Sequence, residues 1–232
     1  MPKGGVAMRL MLDSANLEDV KRSLDIYPIS GVTTNPQQIQ GEGCIDFFGH
    51  LKSIRTLIGS ERSLHVQVLG RDAPTIIGEA EKICSILGEG TYISIPVTEE
   101  GLKAIHVLAE RGFNITATTV FSTIQGILAM LSGVKYVAVF YNRMLNNDID
   151  APRVIRELSS LLWTNTSNTQ VLAASFKNVA EITTSYASGA GCCTVRPEIL
   201  ATGLSMPSIQ KAVSDFRKNW DEVYQGKTIL DL

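Results

Sequence analysis

The first residue that invites chemistry is Asp13, a carboxylate that closes the apolar run "RLMLD" at 9–13. A charged group beside an apolar core must be solvated, paired or functional. Other apolar runs carry polar side chains at or near their ends: Thr33 or Thr34 in "GVTT", Gln67 in "LHVQV", Ser94 in "YISI", Thr118 in "NITAT", and Ser175 just beyond "QVLAA". Asn35 stands in "TTNP", where Pro36 disfavours a helical Asn35 and predicts a turn. Two cations follow later runs, Arg143 after "YVAVF" and Lys177 after "QVLAA". A bidentate arginine, a lysine and a hydroxyl suit a phosphate monoester, so a sugar phosphate or similar polyol phosphate is the ligand class these residues suggest. Taken singly, each hydroxyl has a plainer use in satisfying nearby backbone groups, and each cation in lying solvated on a loop.

These residues need elements to bring them together. Strand-like runs at 9–13, 31–34, 64–68, 92–95, 114–118, 136–140, 170–174 and 192–195 alternate with helix-period stretches such as 44–58, 73–87, 99–111, 122–131, 151–163 and 179–188. Alternation of this kind is the mark of βα units on a parallel sheet. Eight units without a break predict a closed (β/α)8 TIM barrel, a single α/β domain over 8–232 with a C-terminal helix near 206–225. A doubly wound sheet fits less well, because no strand leads into a glycine-rich dinucleotide turn. In a barrel the strand C-termini form the active face, and period-2 alternation turns Leu10 and Leu12 toward the helices and Asp13 into the mouth. The same count sends Ser94 inward near the end of strand four.

Composition narrows the function. A net charge of −2 without runs of like charge argues against nucleic acid, and no apolar run is long enough to span a bilayer, which predicts a cytoplasmic protein away from membranes. The opening "MPKGGVAM" has no signal-peptide core, and residues 1–7 are expected to be a disordered extension. Cys44, Cys84, Cys192 and Cys193 form no CxxC pair and are expected to be reduced thiols, while His50, His65 and His106 sit in no nucleophile motif. No metal and no organic cofactor is implied.

The blocks "LDSAN", "GVTTNP", "IPVTEEGLKAI", "FSTIQGILA", "VLAASFKN" and "FRKNWDEVY" run in order along nearly the whole chain. Together they resemble the small transaldolase and fructose-6-phosphate aldolase family. The resemblance implies a class I aldolase barrel, in which a lysine on strand four forms a Schiff base with a ketose and the iminium serves as electron sink for C–C cleavage or formation. It also implies roles: Asp13 as acid/base partner, Thr33 and Asn35 in contacts to a dihydroxyacetone unit, and Gln67 and Thr118 in positioning a catalytic water. Ser175 and Arg143 would hold hydroxyls and phosphate with help from Lys177, and Phe140 takes the place of an aromatic that is tyrosine in aldolase-type members and phenylalanine in transaldolases. Small family members assemble through the C-terminal helix, so the stripe Phe216, Trp220 and Val223 is expected either to pack on the chain's own barrel or to build a homo-oligomer.

The chain departs from the family pattern at the strand-four motif, where the lysine position reads Ser94 in "SIP". A hydroxyl cannot form an iminium. Val139 and Leu145 also stand where proline and aspartate are common. Three accounts of Ser94 stay open: a single altered position in an ordinary aldolase, a barrel that binds sugar phosphate without turning it over, or an amine moved elsewhere, for which Lys177 is the rim lysine.

Overall fold

The computed structural model describes residues 8–43, 45–165 and 167–232. Residues 1–7, expected to be disordered, and Cys44 lie outside the described residues. The chain divides into two compact units, Met1–Pro197 and Glu198–Leu232.

In the first unit the strands close into one barrel in sequence order: β1 (Arg9–Asp13), β2 (Ile29–Thr33), β3 (Ser63–Gln67), β4 (Tyr92–Pro96), β5 (Asn114–Val120), β6 (Tyr136–Phe140), β7 (Gln170–Ala174) and β8 (Cys192–Val195). Closure is made by β1 against β8, parallel, from Arg9 opposite Cys192 to Leu12 opposite Val195. The helices are α1 (Leu17–Ile26), α2 (Pro36–Gly41), α3 (Phe47–Ile58), α4 (Ala73–Leu87), α5 (Glu99–Glu110), α6 (Thr123–Leu131), α7 (Tyr141–Leu145), α8 (Ala151–Thr164) and α9 (Val179–Ala187). The chain continues into α10 (Pro197–Leu204) and α11 (Pro207–Tyr224). This is the (β/α)8 barrel that the sequence predicts, with its C-terminal helix.

Local chemistry explains where the helices start. Asn16, Asn35, Asp72, Thr98, Ser122, Asp150 and Asn178 each accept a hydrogen bond from a backbone N–H in the first turn of the helix that follows. Such caps satisfy donors that the helix itself leaves unpaired. Asn35 thus corrects the expected turn: its backbone is extended, as a residue before proline should be, but it caps α2.

Strand alternation sorts the side chains into two populations. Leu12, Val32, Ile93, Ile95, Val137 and Val139 face outward and are fully buried under the helices. Inward-facing residues fill the barrel in tiers. At the floor, Met11, Tyr136, Ala138, Leu172 and Cys192 form a cluster on which Tyr92 packs. His65 lies among them, its ring stacked on Tyr92 at 4.5 Å and edge-on to Tyr136 at 5.4 Å. Its nitrogens contact Thr116 Oγ1 at 2.8 Å and Ser63 Oγ at 3.0 Å. Burial, followed by the Arg55 charge, pushes the His65 pKa down to about 3, so the ring is neutral near pH 7. Gly31 is required beside this group, because a Cβ there would lie 2.1 Å from Ser63 Oγ.

In the second unit, Trp220 donates from Nε1 to the Lys227 carbonyl at 2.7 Å and stacks on Tyr224, while Phe216 and Val223 are exposed. Among the described residues, no helix is long and apolar enough to cross a membrane.

Candidate active site

At the C-terminal end of the barrel a cavity of about 340 Å³ opens among the strand ends. All the candidates from the sequence line it: Asp13, Thr33, Thr34, Asn35, Gln67, Ser94, Thr118, Phe140, Arg143, Ser175 and Lys177. The grouping follows from topology, since all of them sit on or just past the C-terminal ends of β1 to β7 in one closed sheet.

Asp13 is held from two sides. Thr33 Oγ1 donates to Asp13 Oδ1 at 3.0 Å, and Gln38 Nε2 donates to the same oxygen at 2.6 Å. Thr194 Oγ1 lies 2.7 Å from Thr33 Oγ1. A hydroxyl has one proton, and Thr33 gives its own to Asp13, so Thr194 is the donor in that pair. Thr34 is used differently: its hydroxyl donates to the His65 carbonyl at 3.0 Å. Of the two threonines that the sequence left as alternatives, Thr33 therefore reaches Asp13. Asn35 Oδ1 accepts from the backbone of Gln37 and Gln38, which leaves the amide NH2 as the end that a ligand could meet.

Ser94 lies on β4 between Gln67 of β3 and Thr116 of β5, in register with both, and is 7% exposed. The end of β4 is held closely, because a Cβ on Gly101 would come 1.9 Å from the Pro96 carbonyl oxygen. Among the described residues no protein group hydrogen-bonds the side chains of Gln67, Ser94, Thr118 or Ser175. These polar groups face the cavity with their bonding capacity unspent.

The positive side of the mouth lies beyond β6, β7 and β8, where Arg143, Lys177 and Arg196 line the cavity against one lining carboxylate, Asp13. The Arg143 guanidinium sits 5.1 Å from the centre of the Phe140 ring, a cation–π contact that keeps the fork near the cavity wall. Buried Glu181 supports this arc, taking the Asn142 amide on Oε1 at 2.8 Å and the Lys177 backbone N–H on Oε2 at 2.7 Å. Ser175 and Thr119 hold positive φ angles of 65° and 61° just where β7 and β5 meet the mouth. Non-glycine residues in this region cost ~1–3 kcal/mol each and persist where the surroundings demand them, commonly at functional sites.

Sequence reasoning missed Gln38, Asn142, Thr194 and Arg196. Thr194 was within reach, since the period-2 count in "CCTV" turns it inward with Cys192. Gln38 also carried a signal, as the third helical residue after Asn35 in a capping box. Among the described residues no group of three or more His, Cys, Asp or Glu is placed to hold a metal ion.

The family model for Transaldolase/Fructose-6-phosphate aldolase matches residues 10–229. The chain belongs to this family. A relative from Streptococcus pneumoniae described as "Probable fructose-6-phosphate aldolase" is 43% identical over 222 residues, which cover 96% of this chain and the whole of that protein. The residues matched by the family model take in all the side chains that line the mouth.

Proposed function

We propose that the barrel mouth binds a phosphorylated ketose or its dihydroxyacetone unit, and that Ser94 leaves Schiff-base chemistry without its amine. The observation that carries this is the division of the cavity wall. One arc offers hydroxyl and amide groups and an oriented carboxylate, suited to a polyol, while the other offers Arg143 and Lys177, suited to a phosphate. Family membership supports the same substrate class and a role in carbohydrate metabolism of the kind that lyases and transferases of C–C bonds have.

The bond chemistry turns on position 94. An amine condenses with a ketone to an iminium with loss of water, and the iminium accepts the electron pair when the neighbouring C–C bond breaks. Ser94 can add to a ketone only as far as a hemiketal, which accepts no electrons. Each ~1.36 kcal/mol of lost transition-state stabilisation costs about tenfold in rate, so turnover by the usual route should fall by several orders of magnitude. Binding without turnover is then the activity that the unmodified chain retains. A second reading keeps an aldolase by moving the amine to Lys177, which lines the same cavity and whose backbone is fixed by Glu181.

Borohydride trapping with fructose 6-phosphate or dihydroxyacetone, read by intact mass and peptide mapping, separates the two. An adduct on the unmodified chain at Lys177 would favour the second reading. An adduct seen only on the Ser94→Lys variant supports the first. Calorimetry showing no binding of fructose 6-phosphate at millimolar concentration would sink both.

The same proposal takes residues 8–232 as one functional domain, cytoplasmic and homo-oligomeric through α11. The exposure of Phe216 and Val223 supports the last point. Removing residues 216–232 should then lower the mass of the assembly in solution, and an unchanged mass would reject it.

A further inference from the structure

We infer that Gln38 is the positioning residue for Asp13, and that the first turn of α2 serves as a clamp on the mouth's carboxylate. The two ends of one side-chain amide carry the argument. Gln38 Oε1 accepts the Asn35 backbone N–H at 3.2 Å, completing the capping box of α2. That contact commits the oxygen, so the NH2 must point the other way, and it donates to Asp13 Oδ1 at 2.6 Å. Neither partner would accept the flipped amide, because the N–H of Asn35 needs an acceptor and the carboxylate of Asp13 needs a donor.

Residue choice at position 38 points the same way. Glutamate serves the capping box as well as glutamine does, and its charge would gain from the helix N-terminus. At this position it would set a second carboxylate against Asp13. Glutamine is the side chain that caps α2 and still donates to the acid. Because Thr33 donates to the same oxygen, Oδ1 receives two hydrogen bonds from different elements, which sets the plane of the carboxylate in the cavity wall. The clamp also links two sugar-facing candidates, since Asn35 Oδ1 accepts the backbone N–H of Gln38 at 3.2 Å.

The consequence for a ligand rests on the proposed binding of a ketose phosphate or dihydroxyacetone unit, whereas the clamp itself does not, and the experiment has an arm for each. The carboxyl titration of Asp13 would be followed by carbon-detected NMR in the unmodified protein, in Gln38→Met and in Gln38→Glu, together with thermal melts. Methionine removes both contacts; glutamate keeps the cap and removes the donor. The expected midpoint of Asp13 rises by about half a pH unit or more in Gln38→Met and further in Gln38→Glu, and because a raised folded-state midpoint lowers stability at neutral pH, Gln38→Glu melts about 2 °C or more below the unmodified protein while still unfolding cooperatively. A midpoint in Gln38→Glu equal to that of the unmodified protein would overturn the clamp and leave Gln38 as a helix cap only.

In the second arm, fructose 6-phosphate affinity falls about tenfold in both variants and does not fall further when either is combined with Asp13→Asn. Affinity that falls in Gln38→Met alone, or equally on top of Asp13→Asn, would overturn the positioning role. If the unmodified protein binds no fructose 6-phosphate, the proposed function fails, and the titration still decides the clamp.

Discussion

The floor and the mouth of this barrel lie inside the same eight strands, and both carry polar side chains, yet they spend their hydrogen bonds in opposite ways. At the floor the groups satisfy each other: His65 contacts Ser63 and Thr116, and Arg9 Nη1 donates to Tyr136 Oη at 3.2 Å. At the mouth the side chains of Gln67, Ser94, Thr118 and Ser175 have no protein hydrogen-bond partner among the described residues. Buried polar groups are costly unless paired, so the floor is a stability device and the mouth is built for something that arrives. Asp13 stands between the two regimes, with Gln38 and Thr33 spent on Oδ1 at the edge of the cavity.

This contrast can be sharpened by substitutions that move only one side of it. The largest effect should come from Ser94→Lys, which restores an amine at the mouth. Fructose 6-phosphate cleavage should rise by roughly a thousandfold or more over the unmodified chain, measured by coupled assay of the aldehyde released. A variant that binds the sugar but neither cleaves nor traps it would show that the mouth differs from an aldolase by more than one residue.

Next is the floor. Replacing His65 by leucine leaves Ser63 and Thr116 without their partner and should cost about 1–3 kcal/mol in chemical denaturation, with sugar-phosphate affinity unchanged. The pH dependence supplies a finer check. Folding holds the His65 pKa at about 3, below its ordinary 6.5, so the unfolded chain binds the proton more readily. The stability contributed by this ring is complete above the ordinary value and is lost as pH falls toward the folded value, with a slope of about 1.4 kcal/mol per pH unit. The same titration on His65→Gln should lack that component; an unchanged acid limb would mean that the ring is not the group responsible.

The mouth should show the reverse pattern. Arg143→Gln should weaken fructose 6-phosphate about tenfold to a hundredfold in calorimetry and dihydroxyacetone far less, because only the former presents a phosphate to the fork. The smallest effect is expected for Thr118→Val, a few-fold loss of sugar affinity with a denaturation midpoint at or slightly above that of the unmodified protein, since no protein bond is lost. A destabilised Thr118→Val would break the contrast between the two ends.

Much of this organisation was legible in the residues themselves. The eight βα units, the strands at 136–140, 170–174 and 192–195 and the inward turn of Asp13 and Ser94 all follow from periodicity, and a threonine such as Thr98 ahead of two glutamates is helix-start chemistry. These are properties of a few neighbouring residues: strand alternation is set by the covalent backbone, and capping by a side chain reaching its own first turn. Position 94 was visible for the same reason, because one serine in an otherwise regular strand breaks a local pattern.

What tertiary structure decided was who meets whom. Thr33 and Thr194 touch although 161 positions separate them, and they do so because β8 returns to β1 and closes the sheet. Which of Thr33 and Thr34 serves Asp13 depends on the register of β2 against β1, where Thr33 stands opposite Asp13. The pairing of Gln38 with Asp13 and the gathering of Arg196 and Lys177 around one cavity likewise depend on how the strand ends are aligned. The sequence by itself determined the elements and which way their side chains face, since those depend on local geometry. Partnership across the barrel was left to the closed sheet, whose stagger no single segment encodes.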